Sequence, residues 1–282
     1  MSLRDKLSSK VRKIQFEARR LQNAPRALPD FIVIGAQKSG TSSMFAYLRQ
    51  HAQIVRPIYK EPYFFDRHYR RGLSWYGCNF PTQAAMEQRN DRYQRRHLTF
   101  EATATYIFDP RVPQRIARDL ATRKFILLLR NPADRAISAY WHARRMGLET
   151  RSLDHALGAD FERYEQEIAF EQRRSPVPNS PAPRPTYVRR GIYHEAISRW
   201  HEVFLPQDLL VLESEKMFAE PRDTMAKVFK FLNLPFAEHI DFTPKNVGGY
   251  EEKNAAARSR LCEFYQPHNR KLDSMCDKSF EW

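Results

Sequence analysis

The sequence contains little cysteine. Its three cysteines, Cys78, Cys262 and Cys276, lie far apart, are odd in number and form no Cys-x-x-Cys pair. This spacing argues against a disulfide framework and against a zinc site built from cysteine ligands. We therefore expect a protein that works in a reducing compartment.

The chain also lacks a long apolar run. No stretch approaches the roughly 18 apolar residues of a membrane-spanning helix, and residues 1–6 lack the apolar core of a signal peptide. We therefore expect a soluble, unprocessed protein in the cytoplasm.

Acidic residues are outnumbered by basic ones. The chain has 33 Asp and Glu against 47 Lys and Arg, a formal net charge of +14. Such a surplus favours anionic partners such as nucleotides, nucleic acid, acidic glycans or a lipid surface, without deciding among them. With 42% apolar residues in 282, the chain can build the core of one large α/β domain.

Residues 1–27 are expected to form a basic amphipathic helix ahead of a main domain at 28–282. Apolar residues recur there at steps of three and four, which places them on one helix face. They are Leu3, Leu7, Val11, Ile14, Ala18 and Leu21. Such a helix docks on the protein's own surface or lies on an anionic membrane, and the sequence leaves both interpretations open.

The main domain alternates short apolar segments with helical ones. This alternation predicts an α/β, P-loop-like fold of three layers, with a central, mostly parallel sheet of four to five strands flanked by helices. The segment 124–130, apolar at every position from 125 to 129, is the candidate central strand. Aromatic segments at 57–66 and 75–80 are expected to be loops, and 86–97 carries no apolar stripe. A loop with five prolines, 175–185, interrupts the domain.

The loop after the first expected strand has the composition of a phosphate cradle. Gly35 and Gly40 permit backbone geometry that other residues resist, and the helix start behind them offers unpaired N–H groups to an anion. The P-loop pattern needs lysine after the second glycine, but Thr41 stands there and the lysine is Lys38, inside the loop. The magnesium geometry of phosphoryl transfer is therefore not supplied, and we expect the anion to be held without a metal.

A second anion signal follows the candidate central strand. Arg130 stands at the strand's end and Ser138 comes eight residues later, in the next expected helix. Arginine offers a bidentate fork for a phosphate and serine adds a hydroxyl donor. The alternative is an arginine paired with a carboxylate and a serine that caps a helix or faces solvent. Parallel strands would bring Lys38, Ala102 and Arg130 to one sheet edge, where ligands gather.

Together these segments resemble the sulfotransferases that use 3′-phosphoadenosine 5′-phosphosulfate (PAPS), and in particular the heparan sulfate sulfotransferase type, over residues 30–282. Residues 38–42 resemble the family's 5′-phosphosulfate loop, and 129–140 resemble its 3′-phosphate motif. Residues 61–66 are similar to the family's Glu-x-x-Phe-Phe-Asp, whose glutamate is taken as the base. Further matches in order are Gly191-Ile192-Tyr193, Trp200, Phe264-Tyr265, Pro267-His268-Asn269 and Phe280-Glu281-Trp282.

The resemblance implies the roles of individual residues. Glu61 would be the general base, and Lys38 would stabilise the negative charge that develops on the leaving oxygen. The implied residues for binding PAPS, the co-substrate, are Gln37, Lys38, Ser39, Gly40, Thr41, Ser42, Arg130, Ser138 and Tyr250. No metal is implied. The alternative for Glu61 is a structural ion pair with Lys60 or an arginine, and His142 is expected to be a packed or surface residue.

Two departures from the family bear on the acceptor. Ala102 stands where the glycan enzymes often carry a lysine, and the family's late Lys-Gly-Arg segment has no counterpart between Tyr250 and Arg258. We expect a hydroxyl or amine on a carbohydrate or glycolipid, without assigning heparan sulfate. Two basic groups either rim the cleft and favour an anionic acceptor or form a solvated face. They are Arg67, His68, Arg70 and Arg71, and Arg89, Arg92, Arg95 and Arg96.

Two other functions account for parts of the sequence. A P-loop kinase using ATP and magnesium would explain the glycine loop, but the missing lysine at position 41 argues against it. A non-catalytic polyanion-binding protein would explain the charge, but the paired anion signals argue against that. No nucleic-acid partner is expected, and the pattern does not determine the oligomeric state.

Overall fold

The computed structural model describes residues 3–22, 24–172, 186–245 and 254–282, with the side chains of 9–22, 24–167, 186–245 and 254–282. Tyr250 and the proline-rich segment 175–185 lie outside the described residues. The chain forms two compact units. The sheet unit comprises 1–36, 40–128 and 199–246, and the helical unit comprises 37–39, 129–198 and 247–282. The single domain expected at 28–282 stays a prediction.

A five-stranded sheet, ordered β2-β3-β1-β4-β5, is the centre of the sheet unit. Its strands are β1 Phe31–Gly35, β2 Ile54–Val55, β3 Leu98–Ala102, β4 Phe125–Leu129 and β5 Leu209–Glu213. The pairings of β1 with β3, β1 with β4 and β2 with β3 are parallel. The expected α/β fold with a mostly parallel sheet is confirmed.

Burial explains why β1 and β4 read as continuous apolar runs. Every residue of β1, β3 and β4 is buried, as expected when helices cover both faces of a parallel sheet. The sequence reasoning did not find β2, because a two-residue strand is too short to show a period.

Helices of both units have defined bounds. Those of the sheet unit are α1 Leu3–Leu21, α2 Thr41–Leu48, α3 Gly72–Gly77, α4 Gln83–Tyr93, α5 Val112–Asp119, α9 Ser214–Ala219 and α10 Pro221–Leu232. Those of the helical unit are α6 Pro132–Arg145, α7 Leu153–Gln172, α8 Tyr193–His201, which enters the sheet unit at Arg199, and α11 Ala255–Cys276. Each unit has its own apolar core, with α2 and α10 against the sheet in one and α6 with α11 in the other.

Two segments without an apolar helical stripe are nevertheless helical. In α3, Tyr76 is buried and stacks on Phe64 with ring centroids 4.6 Å apart. In α4 only Met86 is buried, and the Thr82 hydroxyl caps the helix by accepting from the Ala85 N–H at 3.1 Å. Aromatic packing and a cap hold these helices. The expectation of a loop at 75–80 was therefore wrong for 75–77, which belong to α3, and holds for 78–80, which lie outside any helix or strand.

The first helix packs through the face opposite its expected apolar stripe. Phe16 is buried, and its ring lies 5.5 Å from each of the rings of Tyr59 and Trp75. Val11, Ile14 and Leu21 are 45%, 69% and 89% exposed. The helix is present at Leu3–Leu21, and the described residues of its expected stripe do not provide the docking contact. None of the described helices is long and apolar enough to cross a membrane.

Candidate active site

The start of α2 in the sheet unit has the geometry of an anion cradle. Gly40 precedes the helix with φ of 84°, a left-handed conformation that glycine adopts at little cost. A Cβ there would lie 2.7 Å from Met217 Cε, so the end of the Met217 side chain would have to shift to admit one. The first turn of α2 carries no acidic residue, and its N–H groups and dipole favour an anion.

Lys60 brings a cation to the same helix start. Its Nζ lies 3.1 Å from Ser42 Oγ and 3.4 Å from Thr41 Oγ1, and 3.6 Å from Glu61 Oε1. Burial lowers the pKa of Lys60 from its ordinary value, while the Glu61 carboxylate opposes that shift. The predicted residues Thr41, Ser42 and Glu61 are thus gathered around a lysine that sequence reasoning treated only as an ion-pair partner.

The Glu61 carboxylate is oriented by two neutral donors. The Tyr63 hydroxyl donates to Oε2 at 2.7 Å, and the Ala104 N–H donates to Oε1 at 3.3 Å. Burial and the neighbouring carboxylate raise the pKa of Tyr63, so this hydroxyl keeps its proton. Ala104 follows β3, which places Glu61 at the carboxyl edge of the sheet, as expected for a ligand site. The Glu61 side chain is 27% exposed, so a substrate hydroxyl can reach it.

The helical unit holds the rest of the glycine loop beside two arginines. Arg130 Nη1 donates to the Lys38 carbonyl at 3.4 Å, and Arg190 Nη1 donates to Gln37 Oε1 at 2.8 Å. Lys38 has φ of 74°, which is uncommon for a residue other than glycine. Lys38 and Arg130, two of the residues expected to bind the donor, are therefore in contact through the lysine's carbonyl.

The expected 3′-phosphate motif lies at the start of α6. Asn131 caps this helix by accepting from the N–H groups of Ala133 and Asp134, and the Arg130 carbonyl accepts from the Tyr193 hydroxyl at 2.9 Å. Ser138 is buried within α6, which argues against the solvent-facing alternative. His142 on the same helix is half-buried, as expected for a packed or surface residue.

The sequence analysis did not assign three residues of the candidate site, although each had a signal in the sequence. They are Lys60, Tyr63 and Arg190. Lys60 and Tyr63 flank the predicted base within three positions, and Arg190 directly precedes the Gly191-Ile192-Tyr193 match. Their roles depend on side-chain direction, which residue order alone does not specify.

Comparison with known proteins identifies the family. Residues 28–248 match the sulfotransferase domain, and the chain belongs to this family. It is a sulfotransferase, and the sulfo donor of the family is PAPS.

Named relatives agree with this assignment. The chain is 28% identical to human heparan sulfate glucosamine 3-O-sulfotransferase 6 over 91% of its own length and 74% of that protein. It is 24% identical to the membrane-associated sulfotransferase kil1 of Dictyostelium discoideum, over 90% of the chain and 66% of that protein. The structure of a sulfotransferase from Alicyclobacillus acidocaldarius is similar with a TM-score of 0.64 and 27% identity, covering 90% of this chain and 98% of that one. The expected resemblance to sulfotransferases of the heparan sulfate type is thereby confirmed.

The residues present fit a donor that carries phosphate and sulfate groups. In the helical unit the buried Ser39 hydroxyl has no hydrogen-bond partner among the described residues, although a buried hydroxyl normally has one. In the sheet unit, Lys60 stands beside two hydroxyls and a helix N-terminus. The helical unit therefore offers an anionic group an unpartnered hydroxyl, and the sheet unit offers it a cation at a helix N-terminus.

Proposed function

We propose that this protein transfers a sulfo group from PAPS to a carbohydrate hydroxyl, with Glu61 as the general base. The observation that carries this proposal is the Glu61 carboxylate, held by Tyr63 and Ala104 at the sheet's carboxyl edge, partly exposed and next to Lys60. An acceptor hydroxyl is a poor nucleophile near neutral pH, so a base must remove its proton during attack.

The transfer is a single in-line displacement. The acceptor oxygen forms a bond to sulfur as its proton passes to the Glu61 carboxylate. The bond from sulfur to the bridging oxygen breaks, and that oxygen leaves with the electron pair on the 5′-phosphate of 3′,5′-bisphosphoadenosine (PAP). The N–H groups at the start of α2 and the hydroxyls of Thr41 and Ser42 would stabilise this charge, and the family motif implies the same role for Lys38. The roles of Lys38, Arg130, Ser138 and Tyr250 in binding the donor are proposed from the motif.

Basic residues on the Glu61 segment support an anionic saccharide as the acceptor. Arg67 stacks over the Tyr63 ring at 4.4 Å, and Arg70 and Arg71 follow on the same segment, exposed. The second expected basic group lies elsewhere. Arg96 pairs with Asp30 at 2.8 Å, next to the amino end of β1, and Arg89 stands on α4.

Arg96 therefore lies at the edge of the sheet opposite to Glu61, which supports the solvated-face interpretation of the second basic group. An anionic carbohydrate remains the acceptor class that the first group favours. The names of the heparan sulfate relatives, which include a glucosamine 3-O-sulfotransferase, support a saccharide acceptor here.

We also propose that α1 lies on an anionic lipid surface. Its exposed apolar residues, Val11, Ile14 and Leu21, share one face, and exposed cations flank them at Lys10 and Lys13. An apolar stripe bordered by cations matches the acyl and anionic headgroup layers of a membrane surface. The protein would then be peripheral at a membrane, and its cytoplasmic location stays a prediction.

Two measurements test the function. PAP should raise the thermal midpoint strongly and ATP with magnesium weakly, since a ligand stabilises the fold it binds. Glu61→Gln keeps the side chain's shape and removes the base, so turnover should fall by about 10² to 10⁴ with PAP affinity nearly unchanged. Stabilisation by ATP in preference to PAP would contradict the donor, and an active Gln variant would contradict the base.

A further inference from the structure

The contacts of Lys60 exceed what an ion pair with Glu61 needs. Its ammonium carries three N–H donors, and the two shorter contacts are to the Ser42 and Thr41 hydroxyls at 3.1 and 3.4 Å. The Glu61 oxygen is farther, at 3.6 Å. The lysine is therefore placed primarily at the start of α2.

Glu61 does not depend on Lys60 for its orientation. Tyr63 already holds Oε2 at 2.7 Å and the Ala104 N–H approaches Oε1 at 3.3 Å. A lysine kept there only to fix the carboxylate would duplicate those contacts. The side chain is 24% exposed, and burial disfavours its charged form. An anionic partner at this position would offset that cost.

The two hydroxyls beside Lys60 belong to the first residues of α2, where the helix dipole and unpaired N–H groups attract an anion. The carboxylate on its other side is the proposed base. A sulfo group passing from the donor to an acceptor activated by Glu61 would lie between these groups. Lys60 is the cation that the sheet unit itself places at that point.

We propose that Lys60 is a catalytic cation that binds the oxygens of the sulfo group during transfer. This proposal rests on the proposed function. The sulfur exchanges its bond to the bridging oxygen for a bond to the acceptor oxygen, and the acceptor's proton goes to Glu61. Lys60 keeps its own proton throughout and offsets the negative charge on the sulfo oxygens and the bridging oxygen. Its role adds to the one proposed for Lys38.

The decisive experiment compares two ligands that differ in the sulfo group. Calorimetry without acceptor gives the Kd of PAPS and of PAP for the wild type, Lys60→Met and Lys60→Arg. A charge-assisted hydrogen bond contributes enough for a tenfold to hundredfold change. Lys60→Met should therefore weaken PAPS binding at least about tenfold and leave PAP binding within about threefold, and Lys60→Arg should recover most of the loss.

Turnover provides the second readout, with a matched control. Lys60→Met should lower kcat by about 10², the scale for one transition-state stabiliser, with an unchanged thermal midpoint. The control is Lys124→Met. Lys124 is a half-buried lysine at the amino end of β4, and its ammonium donates to the Phe231 carbonyl. This variant should leave the ratio of the two Kd values unchanged.

The outcomes separate the two proposals. Equal weakening of PAPS and PAP by Lys60→Met, or no weakening of either, would overturn the role of Lys60. A folded wild type that binds neither PAPS nor PAP would instead overturn the proposed function. Failure of Lys60→Arg to recover PAPS affinity, with its thermal midpoint intact, would show that charge at this position is not what the donor requires.

Discussion

At the scale of single residues, Glu101 on β3 carries a proton that most glutamates release. Burial raises its pKa to about 8 from an ordinary value of 4.5, and neither carboxyl oxygen has a partner of standard geometry within the described part of the chain. The nearby hydroxyls of Tyr76 and Tyr106 offset the desolvation only in part. Glu101 is therefore an uncharged acid in the folded protein at neutral pH.

This proton makes stability depend on pH. Because the folded pKa exceeds the unfolded one, the contribution of Glu101 to the free energy of unfolding is complete below about pH 4.5 and is lost as pH rises through about 8. We expect the free energy of unfolding of Glu101→Gln to fall less than that of the wild type as pH rises from about 4.5 to about 8. Urea denaturation at pH 5.5, 7 and 8.5 measures the difference.

A glutamate that is already exposed serves as the control. Glu87 lies exposed on α4, so Glu87→Gln should follow the wild-type dependence on pH. Parallel curves for the wild type and Glu101→Gln would show that the buried carboxyl does not change its protonation on unfolding.

At the scale of elements, α1 would contact the protein through one face and lipid through the opposite face if it lies on a membrane. Phe16 packs on Tyr59 and Trp75, and the opposite stripe would enter the lipid. We expect the triple variant Val11→Ser, Ile14→Ser, Leu21→Ser to bind mixed phosphatidylserine and phosphatidylcholine vesicles at least about tenfold more weakly, since each apolar side chain gains roughly 1.5 to 3 kcal/mol on burial. Vesicle sedimentation measures this.

The control for α1 removes apolar side chains from other exposed places. Met146, Leu148 and Leu205 are exposed apolar residues outside this helix, and changing all three to Ser should leave vesicle binding unaltered. Equal losses in both triple variants, or equal binding of the wild type to purely neutral vesicles, would show that α1 is not the lipid-binding surface.

At the scale of the whole molecule, a charge of +14 should guide an anionic acceptor, and salt should weaken that guidance. The Debye length falls from about 10 Å at 0.1 M to about 3 Å at 1 M. We therefore expect the acceptor KM to rise several-fold, on the order of the steering effects seen between charged partners, across that range. Initial rates at saturating PAPS measure it.

Two matched double variants locate the charges that matter. Arg70→Gln with Arg71→Gln alters the Glu61 segment, whereas Arg89→Gln with Arg92→Gln alters exposed arginines of α4. The change at Arg70 and Arg71 should raise the acceptor KM at low salt and make that KM rise less with added salt. The change at Arg89 and Arg92 should alter neither the KM nor its dependence on salt. A KM that is indifferent to salt and to both variants would indicate a neutral acceptor and a basic surface that is merely solvated.

Local signals in the sequence were enough for much of the fold and part of the site. The segment 124–130, expected to be the central strand, contains the buried strand Phe125–Leu129. The glycine loop joins a strand to a helix start with Gly40 in a left-handed conformation. These features depend on neighbouring residues, whose burial pattern and backbone preferences are visible in the order of the chain.

Only the tertiary structure decided which side chains meet. Lys60 reaches Ser42 across 18 positions, and Arg190 reaches Gln37 across 153. The face by which α1 docks depended on Phe16 finding two aromatic rings, while three other apolar residues of the same helix stayed exposed. Apolar period identifies that a helix has a face, but what covers that face is set by packing against distant segments. For this reason the sequence alone pointed to sulfo transfer, while the cation beside the proposed base emerged from the folded chain.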